Sequence, residues 1–155
     1  MSLLPNTQNL KTRQIAWLVS NRVLYWKLPS NAELRDFHEG MRLLENILQN
    51  NADKVHVILN ARAINRLMGD MNTDLYPLVR RIAKHHHMGN FFVMTSSMMV
   101  KHHINRVTAP FGTNLRYSTN FRNIWESLRG RDTRIPSIAP KLPDFGTRKK
   151  PRRLN

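Results

Sequence analysis

The run Lys54-Val55-His56-Val57-Ile58-Leu59-Asn60-Ala61-Arg62 constrains the fold more than any other stretch of the chain. It is β-branched and almost continuously apolar, the pattern of a strand covered on both faces. Periodic helix signals lie on either side of it. Leu34, Phe37, Met41, Leu44 and Leu48 recur at three- and four-residue steps and mark one apolar face from Asn31 to Asn51. Ser30 and Glu33 have capping-box spacing at the start of that helix. Leu75, Leu78, Val79 and Ile82 give the buried stripe of a helix over 73–87, with Pro77 confined to its first turn and Gly89 as its stop. The central run therefore reads as the middle strand of an α/β sheet, with the loop to Asn72 at its C-terminal end as the first place to look for a site.

The remaining segments complete the alternation. Gln14–Val19 and Val23–Leu28, separated by Ser20-Asn21-Arg22, read as a β-hairpin. Asn90–Thr95 reads as another doubly covered strand. A helix follows from Ser97 to Val107, with Met99, Val100, His103, Ile104 and Val107 as inward positions, broken by Pro110 and Gly112. Leu115–Ser118 reads as an edge strand, and Asn120 caps a last helix over 121–128 with Ile124, Trp125 and Leu128 facing in. The order is β-β-α-β-α-β-α-β-α, an α/β fold with a mostly parallel sheet and an N-terminal antiparallel hairpin. One domain over 13–130 is expected, between a loose leader at 1–12 and a basic, proline-containing tail from 131 to 155 that remains extended.

This order resembles that of the STAS and anti-sigma-factor-antagonist-like fold family, in particular its stand-alone STAS-like members. The likeness is carried by Val23–Pro29, the helix over 31–51, Val55–Arg62, Asn90–Met94 and Phe121–Leu128. It implies a non-enzymatic, regulatory protein-interaction module with no cofactor. Regulatory members of that family carry a phosphorylatable hydroxyl where the central strand's loop enters the next helix. Here the loop contains no serine, and Thr73 stands alone as the candidate phosphoacceptor, with helix capping as its simpler role. Arg66, Asp70, Asn72 and Thr73 are the partner-contact candidates by position.

Charge supplies the second line of reasoning. The 155 residues hold 25 Lys and Arg against 10 Asp and Glu, a net charge of +15, and the acids gather between Glu33 and Asp53. Such a field attracts nucleic acid or another acidic surface, and equally serves solubility. Arg80, Arg81 and Lys84 on one helix, with Lys101 and Arg106 on the next, are the anion-binding candidates, joined by the run Arg148–Arg153. His85-His86-His87 and His102-His103 lack the helical spacing of a metal site, and His86 is expected to pack inward. No acidic pair, Ser/His/Asp set or glycine-rich phosphate loop appears. A small apolar ligand held between helix and sheet rests on fold analogy alone. The absence of cysteine and of any apolar run of about 18 residues is compatible with a cytoplasmic location and no membrane span.

Overall fold

A computed structural model describes residues 14–67, 69 and 74–145. Five strands form one sheet in the order β1-β2-β3-β4-β5: Ile15–Val19, Val23–Lys27, Val55–Asn60, Met88–Met94 and Leu115–Ser118. β1 and β2 make the antiparallel hairpin, and every other pair is parallel, with Val23 opposite His56 and Lys27 opposite Asn60 in the β2–β3 register. Asn21 takes the positive φ of 60° that closes the hairpin turn. All six residues of β3 are buried, as its composition requires.

Neighbouring strands follow one another in sequence, so each right-handed crossover returns its helix to the same face of the sheet. Helices α1 (Leu34–Gln49), α2 (Leu75–Lys84) and α3 (Met98–Thr108) form that layer, α2 packing between the other two. Their stripes meet Leu24, Trp26, Val57, Leu59, Phe91 and Val93. Trp26 stacks on Phe37 at 5.4 Å between ring centroids. The opposite face, with Val23, Tyr25, Ile58, Phe92 and Met94, is covered by α4 (Phe121–Arg131) and the chain beyond it.

Several boundaries move from their sequence positions for local reasons. α1 is capped by Glu33 and Asp36, the Glu33 amide donating to Asp36 Oδ2 at 2.7 Å. Ser30 is spent in the turn that follows Pro29, where the Ala32 amide donates to the Pro29 carbonyl. α2 stops at Lys84, and the chain is extended at His85, whose Nδ1 accepts the His87 amide. β4 accordingly begins at Met88, and Gly89 lies in the strand. A Cβ there would fall 2.5 Å from His56 Nδ1, so close approach explains the glycine better than a helix stop. His86 is exposed rather than inward, while His85 and His87 are half-buried. Met99 is also exposed, and a six-residue 3-10 turn, Ala109–Asn114, links α3 to β5.

The largest departure concerns the chain after α4. Expected to stay extended from residue 131, it instead packs on the sheet as far as Phe145. Ile135 is buried, Leu142 packs beside it, and Phe145 lies parallel to Tyr25 at 6.0 Å. The Trp125 indole donates to the Pro136 carbonyl at 2.9 Å. Three well-spaced apolar residues suffice because they fill a sheet face that the short α4 leaves partly open. The expected leader 1–12 and the run Arg148–Arg153 lie outside the described residues.

Gly40 tests the helix–sheet packing. A Cβ at this position would stand 2.0 Å from Trp26 Cζ2. Valine in a helix gains less than about 1 kcal/mol over glycine, whereas overpacking a rigid core typically costs about 1–3 kcal/mol. Gly40→Val should therefore lower the unfolding free energy, read as a drop in urea midpoint at unchanged slope.

Candidate interaction surface

The C-terminal ends of the parallel strands and the starts of the helices that follow them share one edge of the molecule. This edge is where α/β sheets usually bind, because the connections splay apart there. β3 enters it through Asn60, whose Nδ2 donates to the Tyr25 hydroxyl at 2.8 Å. Asn60 Oδ1 accepts both the amide and Nε of Arg62, at 3.1 and 3.2 Å. Burial raises the Tyr25 pKa, against the Asn60 hydrogen bond and the charge of Arg62, so the phenol stays protonated at neutral pH.

The loop after Asn60 is fastened to α3. Ser97 Oγ donates to the Asn65 carbonyl at 3.1 Å and also accepts the Val100 amide as the α3 cap. Two residues along, the Leu67 amide donates to His103 Nδ1 at 3.2 Å. That bond explains why His103, expected inward, is only half-buried: its ring faces the loop. Arg66 sits between the two fastened residues and is exposed. Asp70, Asn72 and Thr73 lie outside the described residues, and Asp74 occupies the α2 N-cap position without a side-chain cap bond.

Four large hydrophobic side chains are exposed among the described residues: Tyr76 (42%), Met98 (75%), Met99 (54%) and Ile138. The first three occupy the opening turns of α2 and α3, and so lie at the edge that carries the fastened loop. Sequence periodicity assigned Met99 to the core. Val100, Ile104 and Val107 are buried as expected, and Ser97 caps the helix.

The cationic candidates do not form one patch. Arg80, Lys84 and Arg106 are exposed. Arg81 leans toward α1, where Nε and one terminal nitrogen meet both Glu45 carboxylate oxygens at 2.9 and 3.3 Å, and this hydrogen bond raises its pKa. Lys101 turns the other way, its Nζ 5.7 Å from the centre of the Tyr117 ring. Tyr117 in turn donates to Asn105 Oδ1 at 2.5 Å, with the Lys101 carbonyl 3.4 Å from the same hydroxyl, tying α3 to β5, and burial pushes its phenol up to about 12.

One buried arrangement has the look of a catalytic pair. His56 Nε2 lies 3.2 Å from Asp132 Oδ2 at the opposite, N-terminal edge of the sheet. Its other nitrogen, Nδ1, accepts the Asn90 amide at 3.0 Å, which places the proton on Nε2 and leaves neither nitrogen for a substrate. Arg22 and Arg134 also flank Asp132, at 3.6 and 3.2 Å. The pair fastens the segment after α4 to β3 and is structural. No group of three or more histidine, cysteine or acidic residues is placed to hold a metal ion among the described residues. The cavity between β2 and α1, about 330 Å³, is lined by Trp26 and Leu28 but also by Lys27, Asp36 and Glu39. No described helix is long and apolar enough to cross a membrane.

Acid should loosen this fastening in two stages. Burial lowers the His56 pKa, against the opposing pull of Asp132, so the unfolded chain takes up that proton more readily and stability falls below about pH 6.5. Burial alone would raise the Asp132 pKa, but the Arg134 amide, His56 and the Arg134 guanidinium outweigh it and bring the carboxyl from 3.8 to about 2. A depressed carboxyl stabilises above its unfolded value, and that contribution, about 2 kcal/mol, is lost as pH falls from about 4 to 2. Asp132→Asn should therefore cost about 2 kcal/mol at pH 7 and flatten the acid limb in urea titrations at successive pH values.

Comparison of the chain with protein families, with curated proteins and with solved structures found no match.

Proposed function

We propose that the chain is a non-catalytic, STAS-like interaction module of the cytoplasm that binds another protein through the C-terminal edge of its sheet. One observation carries this reading. Three of the four exposed large hydrophobic side chains among the described residues gather at that edge, beside a loop held in place by Ser97 and His103. Exposed apolar side chains grouped in this way mark contact surfaces, and methionine adapts readily to a partner because its side chain is unbranched and polarisable. Fastening of Asn65 and Leu67 also lowers the ordering cost of docking at those residues. The element order supports the STAS likeness, and Arg66 keeps its place as a contact candidate. Thr73 as a phosphoacceptor follows from the family likeness alone.

A second reading, nucleic-acid binding by the outer faces of α2 and α3, is favoured by the lack of any acid in Leu75–Lys84 or Met98–Thr108. The diversion of Arg81 to Glu45 and of Lys101 to Tyr117 weighs against it. In that case binding would fall steeply with salt and would weaken on Arg80→Ala and Lys84→Ala.

Photo-crosslinking in the source cell tests the leading reading. Benzoylphenylalanine in place of Met99 should give a discrete protein adduct, reduced several-fold by Met98→Ser. The same probe at Ile138, exposed elsewhere, should not give that band. Indistinguishable patterns from the two positions would rule out this edge as the docking surface.

A further inference from the structure

A cavity of about 390 Å³ lies at the N-terminal edge of the sheet, opposite the edge that carries Met98 and Met99. Four segments meet around it. Lys54 directly precedes β3, Asn90 lies in β4, and Asn114 ends the turn before β5. Arg131, Asp132 and Thr133 come from the end of α4 and the chain beyond it. Charge is spent unevenly here. Arg22, Asp53, Arg134 and Asp132 close a ring of ion pairs. Arg22 meets Asp53 at 3.7 Å and Asp132 at 3.6 Å, and Arg134 meets the same two carboxylates at 3.6 and 3.2 Å. Two cations and two acids offset one another in that ring. It takes in Asp132, the one acid lining the cavity, which His56 and the Arg134 amide also hold.

Lys54 and Arg131 stand outside the ring. Both are exposed, and neither meets a carboxylate among the described residues. They leave the cavity with two uncompensated positive charges. Arg131 also reaches Asn90 Oδ1 at 3.5 Å, which leaves Asn90 Nδ2 as a donor, and the Asn114 amide and Thr133 hydroxyl supply others. His56, bonded through both nitrogens, adds neither donor nor acceptor. We propose that this cavity binds a small phosphate monoester, its phosphate held by Lys54 and Arg131 and its hydroxylated body by Asn90, Asn114 and Thr133. Two uncompensated cations match the charge of a monoester at pH 7, about −1.5 to −2, whereas each phosphodiester of a nucleic acid carries a single charge. The volume falls within the range of small-molecule sites, about 300–1,000 Å³. The lining holds hydrogen-bonding groups and no aromatic face other than the imidazole of His56, so it offers no platform of the kind that stacks nucleic-acid bases. A phosphate bound there bridges the start of β3 and the end of α4, the elements that His56 and Asp132 already join, and so stabilises the native state.

Calorimetric titration of the full chain at low salt, with ribose 5-phosphate, ribose and inorganic phosphate as probes, provides the test. Ribose 5-phosphate should bind with a Kd below about 1 mM and raise Tm, ribose should do neither, and inorganic phosphate should bind more weakly. Lys54→Ala and Arg131→Ala should each weaken ribose 5-phosphate about tenfold at an unchanged circular dichroism spectrum. Arg35→Ala, which removes an exposed charge from α1, should leave binding as it is. Failure of ribose 5-phosphate to bind overturns the proposal, and so does equally tight binding of inorganic phosphate. Equal weakening by Arg35→Ala also overturns it, because the response is then to net charge alone. Oligouridylate of about twenty nucleotides separates the other source of phosphate. Tighter binding of that strand, lost on Lys54→Ala, gives the site to a diester chain and overturns the monoester. The Met99 crosslink reads the opposite edge, so the docking surface and this site stand or fall separately.

Discussion

A parallel strand that is apolar on both faces cannot be left half covered, and every larger feature of this molecule answers that constraint on β3. Burying its six residues takes two separate coats, one on each side of the sheet. The first follows from chain handedness, because strands laid down in sequential order send each crossover helix to the same face. The second cannot come from a crossover. It is supplied by α4 and the chain to Phe145, which turn back under the sheet after β5. The His56–Asp132 pair fastens this second coat at one edge, and the Phe145–Tyr25 stack holds it at the other. Acid sensitivity is thus a consequence of covering one strand.

The handedness that stacks the helices also brings the starts of α2 and α3 to a common edge with the loop after β3. The contact surface suggested there needs no cavity and no reactive group. It needs apolar side chains that the fold leaves in water, and loop residues such as Asn65 and Leu67 already held in place. Ser97 takes part in both: it caps α3, on which Met99 is exposed, and it holds the loop through Asn65. The charges sort in a related way. Where acid and base face each other across helices, as Glu45 and Arg81 do, the cation is consumed within the fold, and the cations without such a neighbour give the surface its sign.

Much of this was legible along the chain because it depends on local periodicity. The strand runs, the apolar stripes of the helices, the edge position of β5 and the central position of β3 all follow from side-chain spacing and segment length. The errors have other origins. Ser30 carries a capping signal, but the turn after Pro29 uses it. Gly89 resembles a helix stop, yet its role is to admit a histidine from the neighbouring strand. Met99 and His103 fit the inward stripe of α3, until a loop residue thirty-six positions earlier takes the histidine nitrogen. Gly89 and His103 were decided by contacts with distant segments, which no window of neighbouring residues contains.

The sequence by itself determined the α/β alternation, the two-faced burial of β3 and an excess of positive charge, since these rest on composition and on periods of two and 3.6 residues. Only the tertiary structure decided that the chain after α4 is part of the core, because three scattered apolar residues become a coat only when an uncovered sheet face stands opposite them. Only the tertiary structure, too, divided the basic residues into those held by Glu45 or Tyr117 and those left facing outward. Pairing across helices depends on packing, and packing is set once the sheet has been assembled.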